Sequence, residues 1–369
     1  MVWVVDAAVV AFVALNVAAW AFSTDRAQSL YGERLQYQGL LTLLLYVSFF
    51  YVARLAITNG RRLRLLFCAV AIGATLVSGY ALVQKAGLDP IWEGYLPGGR
   101  VFSSIGQANA LAAYLVLAIP VSAALLFGGR TSARAAVVLA IAAMIAALVL
   151  TRSRGGLLGF LAALPVLAVG WRPLLGAPTR RLRYALAAAL VAGTLIVAIG
   201  ASVSGELSRI SSDDSSLRFH LDAWRVAAQV AAEHPVLGTG QETFPDVFPR
   251  YSHAVLPPER ATALDAFRVE SPHNVYLTIA YGSGIPALIA YIGIIAGFFV
   301  AAVRAARQAA REIRLALVAM LAAAAGHLVT GAFMTADVTS AWLFWVLMGA
   351  ALGLVSHSSC QSSTFQVMT

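Results

Sequence analysis

Apolar runs of about 17–25 residues recur along this chain, and each is long enough to cross the hydrocarbon core of a bilayer as a helix. Such runs lie near 2–22, 38–57, 64–85, 108–128, 134–151, 155–171, 184–203, 283–303, 315–335 and 340–356. Composition supports this reading: 60% of residues are hydrophobic and only 12% are charged, where a soluble domain carries roughly 25% charge. The expected class is an all-α polytopic membrane protein with about ten transmembrane helices and one long, partly helical loop. The run Val2 to Phe22 is too long for a signal-peptide core, and no small-residue cleavage pattern precedes "STDRAQ", so it reads as a retained first span. Helices one to seven then occupy 1–203, the long loop 204–272, helices eight to ten 273–356, and a polar, disordered tail 357–369.

The connections alternate in charge. One set holds Arg54, Arg61, Arg62 and Arg64, then Arg130 and Arg134, then Arg172, Arg180, Arg181 and Arg183, then Arg304, Arg307, Arg311 and Arg314, opposed only by Glu312. The other set carries Asp25, Glu33, Asp89, Glu93 and the long loop after Val203. Arginine excess marks cytoplasmic loops, so the second set, the long loop included, is expected outside, with both termini inside. The formal net charge of +9 is then a topology signal, and no nucleic-acid partner is expected. Inside the spans the clearest ionisable residues are Asp6 and His327. Asp6 suits the N-terminal dipole of its helix, and His327 reads as a hydrogen-bonded structural residue. The chemistry is therefore expected at the outer surface.

There the hairpin "TRSRGG", Thr151 to Gly156, holds Arg152 and Arg154 against the positive-inside rule. Snorkelling to headgroups is the ordinary reading for such arginines. The alternative is an anion site: guanidinium groups beside a helix that starts at Gly155, with glycines leaving its first amides open. A second inward-running helix starts near Ala108 after "SSIGQAN", with Asn109 in its first turn. In the long loop, Ser215 or Ser216 begins an amphipathic helix whose apolar face is expected to hold Leu217, Leu221, Trp224 and Ala228. Arg218 and Arg225 share another face of that helix with Asp222 between them, and Arg209 precedes them. "HPVLGTG" ends it. His273 in "SPHN" precedes a helix whose N-terminus disfavours imidazolium, which leaves a neutral ring fit to accept a proton. His220, His234 and His253 share this loop, so the histidine alone decides nothing. No cluster has zinc-ligand spacing and no nucleotide-binding motif follows a strand, so neither metal nor cofactor is expected.

Taken in order, "STDRAQSLYGERLQYQGLL", "SIGQANALAAYLVLAIP", "TRSRGGLLGF", "SLRFHLDAWRVAAQVAAEHPVLGTGQETF" and "SPHNVYLTIAYGSGIPALI" resemble the O-antigen ligase and polymerase superfamily of bacterial inner-membrane proteins. The resemblance implies a GT-C-like, metal-independent glycosyltransferase whose active site faces the periplasm or cell exterior. Its donor would be a glycan on undecaprenyl diphosphate and its acceptor a lipid A–core hydroxyl. In the polymerase branch the acceptor is another lipid-linked repeat, and in a third branch a protein hydroxyl. The superfamily's pattern falls on Arg154, Arg218 and His273 as catalytic residues, the arginines holding diphosphate and the histidine deprotonating or orienting the acceptor. Arg152, Arg225, Asn109, Asn274 and Gly155 would bind substrate. Members commonly carry more spans, which implies either a shorter lineage or helices missing before this N-terminus. Readings from other classes are a lipid-linked sugar transporter, which the sparse charge within the spans disfavours, and a non-catalytic scaffold.

Overall fold

A computed structural model describes residues 2–34, 36–92, 94–127, 131–171, 215–266, 268–335 and 337–366. Among these residues all regular structure is helical, because in lipid a helix satisfies every peptide group within its own segment. The helices are α1 (Val2–Ala21), α2 (Arg26–Tyr31), α3 (Leu40–Ala56), α4 (Gly60–Lys85), α5 (Ala108–Ala124), α6 (Thr131–Leu150) and α7 (Arg154–Trp171), followed by α8 (Ser215–Glu233), α9 (Phe244–Val255), α10 (Pro258–Asp265), α11 (Val275–Gln308), α12 (Arg311–Gly331) and α13 (Ala341–Gln366). Seven described helices are long and apolar enough to cross a membrane, and α3 and the first part of α13 are shorter apolar helices. The protein is a multi-pass membrane protein. The expected span at 184–203, the loop residues 204–214 and Arg172, Arg180, Arg181, Arg183 and Arg209 lie outside the described residues.

Two boundaries differ from the expectation. The tail is helical as far as Gln366, because extending an existing helix adds a bond per residue without a new nucleus. The apolar span expected from 283 is the later part of a longer helix, which begins at Val275, just after His273 as expected, and is broken at Gly284, at φ 88° and ψ 166°.

The described residues divide into two compact units that interleave along the chain. The first comprises Met1–Leu55, Ser215–Ala301 and Gly331–Thr369. In it Arg54 and Tyr51 both donate to the Asp6 carboxylate, so Asp6 is held by a partner as well as by the dipole of its helix. The described part of the long loop is folded: Val226, Val230, Phe244 and Phe248 share one buried apolar cluster with Tyr281, which fixes α8 and α9 on the start of α11. On α8 the buried face is Ala223, Val226, Ala227, Val230 and Ala231. Leu221 is 40% exposed and Ala228 is exposed, so the core lies on a different stripe from the one expected. Small residues every three to four positions let α8 approach its neighbours, and that spacing outweighed the larger side chains.

The break in α11 is filled by the segment that follows α8. Thr239 and Gly240 donate backbone N–H bonds to the freed carbonyls of Tyr281 and Gly282 at 2.8 and 2.9 Å, and Ile285 donates to Pro235 at 2.8 Å. A Cβ on Gly238 or Gly284 would strike the opposing backbone, and one on Gly240 would strike Ser23 and Ser29. All three glycines have positive φ, so the "HPVLGTG" strap needs glycine for both conformation and space. Buried Asn16 of α1 ties the same point: its Oδ1 accepts from Gln241 Nε2 at 2.7 Å and from Ser283 Oγ at 2.8 Å. The next residue, Glu242, is 2% exposed and has φ 61°. Burial, with Glu33 and Glu270 adding repulsion, pushes its carboxyl up to about 8.

The second unit comprises Ala56–Asp214 and Ala302–Thr330. Its centre is α5, buried almost throughout from Ala110 to Ser122. The glycines of α7 are contact points: a Cβ at Gly156 would overlap Ala112 of α5, and one at Gly159 would overlap Gly326 and Thr330 of α12. Small residues let helices approach closely in lipid, where dispersion and not water drives association.

Candidate active site

In the first unit His273 occupies a turn with φ 50°, a left-handed conformation uncommon for a side chain of this size. The next residue locks the turn. Asn274 Oδ1 accepts from the amides of Tyr276 and Leu277 at 3.0 and 3.1 Å, capping α11. That oxygen is therefore committed to the helix, whatever its amide group contacts. His273 Nδ1 lies 3.2 Å from Thr335 Oγ1, and Thr335 Oγ1 lies 2.5 Å from Ser271 Oγ. Ser271 Oγ also accepts from the His273 amide at 3.3 Å. With its proton on Nδ1, the ring donates to Thr335, Thr335 donates to Ser271, and the Nε2 lone pair is left for chemistry.

Helix α8 covers the ring. Phe219 and His220 lie 6.1 and 5.5 Å from it between ring centroids. Trp224 Nε1 donates to the Pro272 carbonyl at 2.9 Å and its ring meets Phe333 at 6.2 Å. Burial first, and then the neighbouring His220, push the His273 ring down to about 4. The ring is neutral because it is desolvated, and the helix-terminus effect expected from sequence is not its main cause.

The arginines of α8 have separate fates. Asp222 is buried on that helix and binds Arg260 of α10 through both Nε, at 3.1 Å, and Nη2. Arg225 Nη1 lies 3.8 Å from the other Asp222 oxygen, with its side chain 63% exposed. Arg218 is exposed on the first turns of α8. The acid between the two arginines thus takes its closest partner from another helix. Arg260 gave no signal in sequence, because a charged residue in a polar loop is unremarkable.

In the second unit the "TRSRGG" hairpin is clasped by the loop Leu96–Val101. Arg100 donates through Nε to the Thr151 carbonyl at 2.7 Å and through Nη2 to Asn109 Oδ1 at 2.5 Å. Arg152, with φ 52°, donates to the Gly98 carbonyl at 3.3 Å. Ser153 Oγ accepts from the Gly156 amide at 3.3 Å and caps α7. Arg154 occupies the first position of α7 and is exposed. Gly155 is buried, with its carbonyl accepting from Thr330 Oγ1 at 3.4 Å. The expectation of open glycine amides is thus corrected at Gly156. Gly156's amide is bonded to Ser153, and both glycines face helices, because α7 must approach α5 and α12. What the hairpin offers an anion is guanidinium. Arg100 went unread, although it breaks the same positive-inside pattern that singled out Arg152 and Arg154. Among the described residues no three His, Cys, Asp or Glu side chains are grouped as metal ligands.

A family comparison covers this hairpin, α8 and His273. Residues 139–292 match the O-antigen ligase family, Wzy_C. No curated protein matches the chain. The family domain is that of a ligase- or polymerase-type glycosyltransferase, and it implies a lipid-linked glycan and an acceptor as partners in general.

Proposed function

We propose that this protein is an O-antigen ligase-type glycosyltransferase of the bacterial inner membrane. It moves a glycan from undecaprenyl diphosphate to an acceptor hydroxyl, such as that of lipid A–core, at the periplasmic face. The observation that carries the reading is the desolvated, neutral His273 with Nδ1 on Thr335, within the segment that matches the family. The acceptor oxygen attacks the anomeric carbon of the donor sugar and its proton passes to His273 Nε2. The bond from that carbon to the diphosphate oxygen breaks, and the electron pair leaves with the diphosphate. Arg154 and Arg218 stabilise the charge that accumulates there, and Arg152 and Arg225 hold the donor. Cations fixed in advance stabilise a departing anion more than they stabilise the bound ground state. No metal enters this scheme. A base titrating near 4 stays deprotonated through neutral pH and takes the proton as the acceptor oxygen becomes bonded.

Proteoliposomes with undecaprenyl-diphosphate oligosaccharide, candidate acceptors and chelator test the reading. Wild type should release the lipid diphosphate and His273→Ala should not. One capped acceptor would mark a ligase; a ladder would mark a polymerase of the same chemistry. Equal donor consumption by both proteins would remove His273 as the base, and loss of activity on adding chelator would remove the metal-free scheme.

A further inference from the structure

A second feature lies away from the hairpin, where α7 ends, α11 ends and α12 begins. A cavity of about 670 Å³ opens there, lined by Val169 of α7, Ala306 of α11 and Val318 and Leu321 of α12, together with Arg307 and Arg314. The volume falls within the range of about 300–1,000 Å³ typical of small-molecule sites. Trp171, at the same end of α7, donates from Nε1 to the Leu315 carbonyl at 3.1 Å. Tryptophan with a bonded N–H favours the depth at which headgroups meet hydrocarbon.

The charge in this lining is incompletely satisfied. Arg314 Nη2 donates to the Ala309 carbonyl at 3.1 Å, which caps the end of α11. Its Nε is buried and has no hydrogen-bond partner. A buried donor of a charged group without an acceptor is costly. Arg307 adds a second guanidinium, exposed in the same lining. A ligand that suits the cavity must bring an apolar chain for the walls and an anion for the arginines. A zwitterionic headgroup would bring its ammonium toward two guanidiniums and lose part of that attraction.

We propose that this crevice is a binding site for an anionic glycerophospholipid of the surrounding membrane. An acyl chain lies along Val169, Ala306, Val318 and Leu321, and the headgroup phosphate is held by Arg307 and Arg314. The site is independent of glycosyl transfer and of the function proposed above.

Native mass spectrometry of the delipidated, detergent-purified full chain tests it without any activity assay. Phosphatidylglycerol and phosphatidylethanolamine of equal chain length are titrated in parallel, with inorganic phosphate as a third arm. Two arginines at a lipid surface should favour the anionic lipid about tenfold for one tight site. Arg307→Gln should bring that ratio near parity by removing charge, and Val169→Trp should weaken both lipids by filling the groove. Arg314→Gln also uncaps α11, so the other two variants carry the test. Equal affinity of wild type for the two lipids would overturn the proposal, as would wild-type preference in Arg307→Gln. So would unchanged lipid binding in Val169→Trp, or binding of inorganic phosphate as tight as that of phosphatidylglycerol.

Discussion

The turn at His273 and the hairpin at Arg152–Arg154 are built alike and end in opposite electrostatic states. Each places a non-glycine residue at positive φ, His273 at 50° and Arg152 at 52°. Each then starts a helix under a side-chain cap, Asn274 for α11 and Ser153 for α7. Yet α8 buries the histidine until it is neutral, whereas Arg154 stays exposed and charged. A capped turn fixes where a side chain points; what packs over it decides its charge. A base must be kept free of its proton, and desolvation does that. A guanidinium is charged in either setting, and exposure keeps it within reach of a phosphate.

Breaking the two turns should separate these roles. The largest effect is expected at His273: replacement by Ala should lower kcat for glycosyl transfer about 10²–10⁴-fold, the range for a general base. Arg154→Gln should lower kcat about 10²–10³-fold, as for loss of one donor to a developing oxyanion. Donor binding should fall much less, and a loss confined to KM would instead make Arg154 a uniform binder. Gly240→Val tests the strap, adding about 1–3 kcal/mol of backbone strain and a comparable overpacking cost. It should lower Tm in detergent, and an unchanged Tm would mean that the strap is not fixed on the break in α11.

Smaller effects sharpen the electrostatic half. Transfer by wild type should stay level from pH 8 to about 5.5 and fall only toward the His273 value of about 4. His220→Leu removes one of the two causes of that depression and should move the acid limb upward. Thr335→Val should cost less than His273→Ala while changing the pH profile, since it frees Nδ1 without removing the ring. Glu242 works in the opposite sense. Its folded value of about 8 lies above the ordinary 4.5, so the stability it contributes is complete below 4.5 and is lost as pH rises through 8. Glu242→Gln should therefore match wild type near pH 4.5 and melt higher than wild type near pH 9.

The helices were legible because lipid leaves so few alternatives: a run of apolar residues long enough to span has to bond its own backbone. Arg152 and Arg154 stood out because their hairpin holds no acid to balance them, whereas Asp89 and Glu93 share the loop of Arg100. The buried stripe on α8 is not legible from the large side chains, because Ala223, Ala227 and Ala231 set the close approach while Leu221 stays 40% exposed. That Gly156 serves contact with α5 and not a ligand is not legible in sequence, because an open and a packed glycine look the same there. Thr335 lies 62 residues from His273 and Arg260 lies 38 from Asp222, and neither pairing leaves a local trace.

By itself, then, the sequence determined the class of the protein, most of its apolar spans and the arginines that depart from the alternation of charge along its loops. Those follow from residue-by-residue transfer between water and lipid, which composition along the chain records directly. Only the tertiary structure decided that burial is the main cause of His273's neutrality, that Asp222 belongs first to Arg260, and that a glycine strap fills the break in α11. Burial and partnership depend on which segments meet, and that is a property of the folded arrangement that no single stretch contains.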